Sequence, residues 1–325
     1  MIVHPELRAL RGDDSPQRDA QEALIGCTDQ WRNSPRISAL HAEMTHFDQG
    51  GALNDCPVLA DMFEAGNPAA AEFANHFARM SVACLAQAPL GHVPIRHFTD
   101  GVHSTLLLAR SGNVTLSLVA VDGEGFAGRA APVTADFGPS EVWEHVLAGR
   151  ADAELVERSG PASGPAQLVR RDVALQPGII VGRSATRQTM LLRDVESCLV
   201  TLCLQRRLPE LGPTREYRLA DGQLVHQAAG NLGDSRIEMI MALLGAMERL
   251  DAAPLLAEIA LEQGSAALRW QALRECLALD TLSGFTTLCE IARRLDDELA
   301  PTAGALRSQL IEAHPQLAAI EPCPA

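Results

Sequence analysis

The sequence predicts an α+β protein in which a region of short antiparallel strands lies between two helical regions. Hydrophobic residues make up 47% of the 325 residues and aromatic residues only 4%. A core built from leucine, alanine and valine favours helix wherever turn residues are absent. In the first and last parts of the chain apolar residues recur at helical spacing, whereas in the middle short β-prone runs alternate with turn residues.

The first region, residues 1–90, is predicted to be an extension followed by helices. Its first 35 or so residues are polar and broken by "GDDSP" and "RNSPR", which predicts at best a short helix around "QRDAQEALIG". From Ser38 the pattern is helical, with a break at "GNP" and an end at Pro89 and Gly91. The apolar residues at helical spacing are Leu59, Met62, Phe63, Phe73, Phe77, Met80 and Cys84.

The middle region, residues 91–232, contains nine or ten short strands in about 140 residues. Runs such as "NVTLSLVAV", "GIIVGRS" and "SCLVTLCLQRR" are separated by "DGEG", "SGPASGP" and "ADGQ", which are typical of turns. Strands this short and this closely spaced leave no room for crossover helices. The region is therefore predicted to be an antiparallel sandwich or barrel.

The last region, residues 233–325, is predicted to be helical to about His314, and Asp234 and Ser235 are candidate caps of its first helix. A faint internal repeat aligns Ala257–Ala260 with Cys289–Ala292, an offset of 32 residues. Paired helices at that period are typical of an α-solenoid.

Charge and composition limit the class of protein. Acidic residues outnumber basic ones 41 to 27, and the net charge of −14 repels phosphate backbones, so nucleic acid is not expected as a partner. We expect no signal peptide and no membrane span, which predicts a cytoplasmic protein. The eight cysteines form no CxxC pair and are expected to be reduced thiols, largely buried. No P-loop, GxSxG elbow or HExxH motif occurs.

Two phrases of the middle region resemble the cupin superfamily, whose fold is a jelly-roll barrel. The first is "EVWEHVLAGRADAEL" (141–155), in which a strand ends on a glycine turn and resumes. The second is "LQPGIIVGRSATRQTMLL" (175–192), with Pro177 and Gly178 at the turn. The run "ESCLVTLCLQRR" is similar to the strand that closes such barrels. The resemblance covers about 140 residues, and the helices that follow resemble HEAT-like repeats.

This sequence departs from the metal site that the resemblance implies. The glutamate expected in the first phrase falls on Val142, and no His-x-His lies upstream of it. The histidine expected in the second phrase falls near Arg187 or Gln188. The departure predicts a chain without the usual cupin metal and without another cofactor. An iron, zinc or other divalent metal held by relocated ligands is the alternative.

Relocated metal ligands are available in "HVPIRHFTDGVH", where His92, His97 and His103 lie between the last helix of the first region and the first strand. Imidazole is a common ligand of zinc and iron. Asp48 and Asp100 could complete such a set. In the alternative interpretation, these histidines form hydrogen bonds with the backbone.

Four further residues are candidates for binding a ligand. Strand alternation places Trp143 and His145 on one face, and if that face lines the barrel, His145 could ligate a metal, act as a base or bond to a buried carbonyl. His226 on a late strand could join them. Arg187 belongs to a group with Arg183 and Arg193 that could bind a carboxylate or phosphate, or else pair with surface acids.

Three functions are compatible with these observations. The first is a barrel that binds a small molecule or a peptide, with C-terminal helices that bind a protein partner. The second is a metal-dependent oxygenase or isomerase that uses relocated histidines. The third is a structural subunit of a homodimer or larger assembly.

Overall fold

A computed structural model of the chain describes residues 12–160, 165–208, 212–229 and 232–320. Within them the order is helices, then strands, then helices, as the sequence predicts. The α+β class, with antiparallel sheets beside several helices, is confirmed. The domain boundaries at residues 90 and 232 stay predictions. Cys323, one of the eight cysteines, lies outside the described residues.

In the described part of the chain, four α-helices precede the strands. They are α1 (Ser15–Arg32), α2 (Pro35–Asp48), α3 (Pro57–Met62) and α4 (Ala69–Gln87). The expectation of at best a short helix before residue 35 is wrong, because α1 has 18 residues. Although its sequence is mostly polar, α1 has an apolar stripe on one face. On this face the buried Trp31 packs against Phe73 and Phe77 of α4, at ring-centroid distances of 6.2 and 5.2 Å. Tertiary packing of one face therefore stabilises a helix that composition disfavours.

A disulfide joins α1 to α4. The bond is between Cys27 and Cys84, whose Cα atoms are 6.7 Å apart. The prediction that all cysteines are reduced thiols is wrong for this pair, because the packing of α1 on α4 brings together two residues 57 positions apart. Of the free cysteines that the structure describes, Cys56, Cys276 and Cys289 are buried.

Twelve strands follow among the residues that the structure describes, and they form three antiparallel sheets. The largest sheet has the order β1-β2-β3-β10-β5-β8, and two three-stranded sheets have the orders β7-β6-β9 and β12-β11-β4. The bounds are β1 (His97–Thr99), β2 (His103–Ser111), β3 (Val114–Asp122), β4 (Thr134–Phe137), β5 (Ser140–Ala148), β6 (Ala151–Ser159), β7 (Gln167–Leu175), β8 (Ile180–Ser184), β9 (Gln188–Val195), β10 (Cys198–Arg207), β11 (Thr214–Arg218) and β12 (Leu224–Ala228). A one-turn helix, α5 (Gly123–Ala127), links β3 to β4.

The chain passes from the large sheet to the β7-β6-β9 sheet at Gly149, between β5 and β6. Gly149 has φ +83°, and a Cβ there would lie 1.8 Å from the carbonyl oxygen of Cys198. Only glycine fits this turn. The strands that the structure describes remain three open sheets, so the closed barrel implied by the cupin resemblance is not found. The jelly-roll connectivity stays a prediction.

The large sheet is buried on both faces. The four helices before it cover one face, and their shared core includes Phe47, Leu59 and Phe73 from the helices and Leu116 and Leu204 from β3 and β10. The other face points toward the β7-β6-β9 sheet. Side chains alternate along each strand, so neighbouring residues of β3, β5 and β10 lie in different environments.

Between residues 232 and 320 the structure has five α-helices: α6 (Leu232–Ala246), α7 (Ala253–Leu261), α8 (Ala266–Leu279), α9 (Thr281–Arg293) and α10 (Ala300–Ala313). The two aligned segments of the sequence repeat lie in α7 and α9, each the first helix of a packed pair. The HEAT-like assignment itself stays a prediction. None of the described helices is both long enough and apolar enough to cross a membrane.

A buried ion pair fixes the two helix pairs to each other. Arg269 of α8 and Asp297, in the connection from α9 to α10, have side chains only 7% exposed. Arg269 Nε also donates to the carbonyl of Ala260 at 3.0 Å, at the end of α7. The hydrogen bonds from Arg269 lower the pKa of Asp297 below its usual value.

Replacing Asp297 by alanine is expected to reduce the free energy of unfolding by about 3–5 kcal/mol, because Arg269 becomes a buried charge without a counter-ion. Urea unfolding followed by circular dichroism at pH 7 measures the change. The pair should stabilise the protein fully above the pKa of an unfolded aspartate, about 3.9, and progressively less as the pH falls below it, since the folded pKa is lowered. The matched control is Asp251→Ala in the exposed pair with Arg249, where stability should hardly change. Equal losses in both variants would contradict this role.

Candidate functional site

The candidate site is a chamber between the large sheet and the β7-β6-β9 sheet. Its volume is about 430 Å³, within the range of roughly 300–1,000 Å³ found for small-molecule pockets. The walls come from β3, β5, β8 and β10 on one side and from β7 and β9 on the other. The segment from Phe126 to Pro132, which includes the end of α5, lies at the mouth with His103.

Most of the chamber wall is apolar. Val119 and Val121 of β3, Val146 of β5, Val181 of β8 and Leu199 of β10 point into it, together with leucines of β7 and β9 and Met190. These residues alternate with others, such as Leu118 and Leu202, that pack on the helices. The apolar sequence of β3 and β10, which shows little alternation of polarity, is what a strand buried on both faces requires.

One ion pair lies inside this apolar wall. Glu144 of β5 and Arg183 of the neighbouring β8 are joined through Oε2 and Nη1, with side chains 23% and 12% exposed. Both side chains line the chamber. A charge in such surroundings is costly unless it is paired, and here each charge has its counter-ion.

A cysteine lies beside this pair. Cys203 of β10 is directly opposite Glu144 of β5 in the strand register. Burial raises the pKa of its thiol to about 12, the nearby Glu144 carboxylate acts in the same direction, and Arg183 opposes both. Cys203 is therefore a neutral thiol at physiological pH, unsuited to nucleophilic chemistry.

The mouth of the chamber carries a second charged group. Arg129 Nη2 is 2.8 Å from Asp100 Oδ2, and Nδ1 of His103 lies 3.4 Å from the same oxygen and 3.3 Å from Arg129 Nη1. Asp100 also accepts hydrogen bonds from the backbone N–H groups of Val102 and His103, at 3.0 and 2.7 Å. These bonds and Arg129 hold the pKa of Asp100 well below its usual range, so its carboxylate stays ionised beside Arg129.

Trp143 and His145 lie on the other face of β5, outside the chamber. Trp143 packs edge-on against Phe47 of α2 at 5.5 Å. His145 is buried, with Nδ1 2.7 Å from the carbonyl oxygen of Met62 at the end of α3. The sequence left open which face of β5 lines the barrel, and the structure places Val142, Glu144 and Val146 on the face toward the other sheets. A ligand role for Trp143 and His145 stays a prediction, and in this fold it would require access from the helical side.

The three histidines between α4 and β2 are not brought together. His92 and His97 are exposed, and Nδ1 of His97 is 3.4 Å from the carbonyl of Ile95. Of the three, only His103 lines the chamber. In the residues described, no group of three or more His, Cys, Asp or Glu side chains has the geometry of a metal site. Whether a metal binds therefore stays a prediction, for which this geometry supplies no ligand set.

Arg187 and His226 also lie away from the chamber. Arg187 is exposed in the turn between β8 and β9, where its backbone N–H donates to Ser184 O at 3.0 Å. His226 is exposed on β12, opposite Glu216 of β11, in a surface cleft shared with Trp270 of α8. Their predicted roles in ligand binding stay predictions, and they cannot act jointly with the chamber residues in this arrangement.

Glu144, Arg129 and Thr201 were not among the residues predicted to form the site, and Arg183 was predicted only as a member of an arginine group that could bind a carboxylate or phosphate or else pair with surface acids. The size of the side chains could have identified which face of β5 points toward the chamber, because the larger side chains pack against the N-terminal helices. Trp143 and Leu147 alternate with Glu144, and only the face that packs on phenylalanine-rich helices needs such large side chains. The partner of Glu144 could not have been chosen from the sequence, because it depends on the β5–β8 register.

Known proteins give few points of comparison. No known protein family and no curated protein matches the sequence. Among solved structures, CENP-C of Drosophila melanogaster bound to CAL1 aligns over 34% of this chain and 79% of its own, with 10% identity and a TM-score of 0.26. A putative mannose-6-phosphate isomerase from Ralstonia eutropha aligns over 35% of this chain and 93% of its own, with 14% identity and a TM-score of 0.25. A cupin superfamily protein from Desulfitobacterium hafniense aligns over 34% of this chain and 83% of its own, with 13% identity and a TM-score of 0.23.

These similarities are confined to about a third of the chain, and the TM-scores lie far below 0.5. The neighbours include enzymes as well as a protein solved with a protein partner, so they favour no single activity. The function must be argued from the chamber itself.

The thiol of Cys203, opposite Glu144, provides a test of the electrostatics around the ion pair. A thiol with a pKa near 12 is ionised to about one part in 10⁴ at pH 8, so Cys203 should react with iodoacetamide at least a hundredfold more slowly than the exposed Cys198. Peptide mapping by mass spectrometry at timed intervals measures both rates. In urea the two cysteines should react at similar rates, which serves as the control. Rapid alkylation of Cys203 in the folded protein would contradict the description of its surroundings.

Proposed function

We propose that the chamber binds a small, mainly apolar molecule. The observation that carries this proposal is a cavity of about 430 Å³ whose walls are valine, leucine and methionine and whose interior polar groups are few. Pockets that bind small molecules combine an apolar lining with a small number of polar groups that orient the ligand. Thr201 and the Glu144–Arg183 pair would have that orienting role.

The chamber also has a suitable entrance. Arg129, Ala130 and Pro132 lie at its edge, on the stretch between α5 and β4. Asp122 caps α5 by accepting a hydrogen bond from Gly125 N at 2.7 Å, and the Asp100–Arg129 contact ties this stretch to the turn before β2. The entrance is thus built from charged side chains around an apolar interior, an arrangement that admits a ligand while remaining hydrated.

Binding of the apolar fluorophore N-phenyl-1-naphthylamine tests this proposal. The purified chain should increase its fluorescence saturably, and Val119→Phe, which fills the chamber from β3, should weaken binding at least tenfold without loss of thermal stability. The matched control is Val169→Phe on β7, where the valine is 64% exposed, and binding should remain as in the wild type. Equal binding by Val119→Phe and the wild type would overturn the proposal.

A second candidate function, a homodimer subunit, is favoured by the surface of α6. An apolar stripe on and just beyond this helix is exposed, although the opposite face, at Met241, is buried against the other helices. We call it the α6 stripe, and its residues are Met239, Ile240, Leu243, Met247 and Leu250. Contiguous exposed apolar residues of this kind mark interaction surfaces.

The charges around the α6 stripe favour a second copy of the chain as its occupant. Arg236 is exposed at one end of the stripe and Glu248 at the other. In a two-fold antiparallel pairing centred on the exposed Ala242, next to Leu243, Arg236 of each copy would lie opposite Glu248 of the other. Self-complementary charge of this sort is what a two-fold interface requires.

Light scattering after size exclusion tests the homodimer. The wild type is expected to be a dimer at micromolar concentration, and Leu243→Glu should be a monomer, because it would place two carboxylates at the centre of an apolar interface. Leu282→Glu on α9 is the matched control, since Leu243 and Leu282 are both 59% exposed, and it should remain a dimer. A monomeric wild type would exclude this function.

A further inference from the structure

We infer that the ligand of the chamber is electrically neutral and carries a single hydrogen-bond-accepting group, such as a ketone, ester or amide carbonyl, which binds to Arg183. This inference rests on the proposed function and specifies the class of molecule. It follows from three features of the chamber: the balance of its charges, the hydrogen bonds that Arg183 makes, and the apolar character of the remaining wall.

The charges around the chamber compensate one another. Four ionisable side chains that carry or can carry charge line it: His103, Arg129, Glu144 and Arg183. Arg183 is paired with Glu144, and Arg129 with Asp100 just outside the chamber. Two arginines are thus matched by two carboxylates, and neither ion pair leaves a net charge to attract an ion.

An ionic ligand would therefore lose its hydration without gaining a counter-ion. A carboxylate approaching Arg183 would also approach Glu144, whose negative charge repels it and already compensates the charge of that guanidinium. An ammonium group would need Glu144 and would have to displace Arg183 from it. Burial of a charge is costly unless it is paired, so the compensated chamber disfavours both kinds of ion.

Arg183 keeps donors for a neutral ligand. Among the described residues, its guanidinium forms one hydrogen bond, from Nη1 to Glu144 Oε2. Nε and Nη2 of Arg183 have no hydrogen-bond partner among these residues. Neither atom is fully buried, so both remain accessible to a ligand. A guanidinium presents these N–H groups in a fixed planar fork, and one carbonyl oxygen can accept from it.

The rest of the wall limits the number of polar groups on the ligand. Among the described residues that line the chamber, Thr201 is the only one with an uncharged polar side chain, a hydroxyl. Every further polar group on the ligand would lose water without finding a partner against valine and leucine. One acceptor on an apolar body is therefore the chemistry that fits.

Competition against N-phenyl-1-naphthylamine at pH 8 tests the inference, with 2-octanone, octanoate and octylammonium as competitors of similar length and different charge. The ketone should displace the fluorophore at a concentration at least tenfold lower than either ion. Stronger displacement by octanoate or octylammonium, or none by 2-octanone, would overturn the inference.

The double variant Glu144→Met with Arg183→Met assigns the effect to the pair. Removing both charges together leaves no buried charge unpaired. Affinity for 2-octanone should fall at least tenfold, whereas the fluorophore, which has no carbonyl, should bind as before. An unchanged affinity for the ketone would refute the role of Arg183. If the wild type does not bind the fluorophore, the proposed function itself fails, so the two failures are distinguishable.

Discussion

The burial of both faces of the six-stranded sheet is the constraint on which the rest of the structure depends. One face packs against the N-terminal helices, and the same strands line the chamber with their other face. Because the period of side chains along a strand is two, the residues committed to the helices determine which residues remain for the chamber. In β5 the contacts of Trp143 with Phe47 and of His145 with Met62 O fix this choice, and Glu144 points inward as a consequence. The N-terminal helices are thus part of the structural basis of the site, although they contribute none of the residues that line it.

Fold class was predictable from the sequence because it depends on patterns within short segments. Helical spacing in "AEFANHFARM" and turn residues between the β-prone runs are visible without knowledge of what packs on what. The helix α1 and the Cys27–Cys84 disulfide were not predictable, since both depend on contacts between segments more than 40 residues apart. The open arrangement of the three sheets depends in the same way on which strands pair. A resemblance based on two phrases of β5–β6 and β8–β9 does not contain that information.

The candidate site was less predictable than the fold, and the reason is physical. Histidines attract attention because they can ligate metals and transfer protons, yet His145 forms a hydrogen bond with a buried carbonyl and His97 lies at the surface. The residues that line the chamber are mostly valine and leucine, and their sequence pattern is the same in a cavity wall and in a filled core. Glu144 and Arg183 become informative only when the register of β5 and β8 places them together.

Comparison of two buried arginines shows why the pair in the chamber points to binding rather than to stability. Arg269 uses Nε, Nη1 and Nη2, with Ala260 O and both oxygens of Asp297 as acceptors, so each nitrogen of its guanidinium has an acceptor within the protein. Arg183 is nearly as buried, but its hydrogen bonds to described residues come from Nη1 alone. An ion pair is weak support for stability, because desolvation offsets its attraction, and it becomes favourable only when the remaining donors find acceptors. For Arg269 the protein supplies those acceptors. For Arg183 we propose that the ligand of the chamber supplies them, which is why the incomplete hydrogen bonding of this residue supports the proposed binding site.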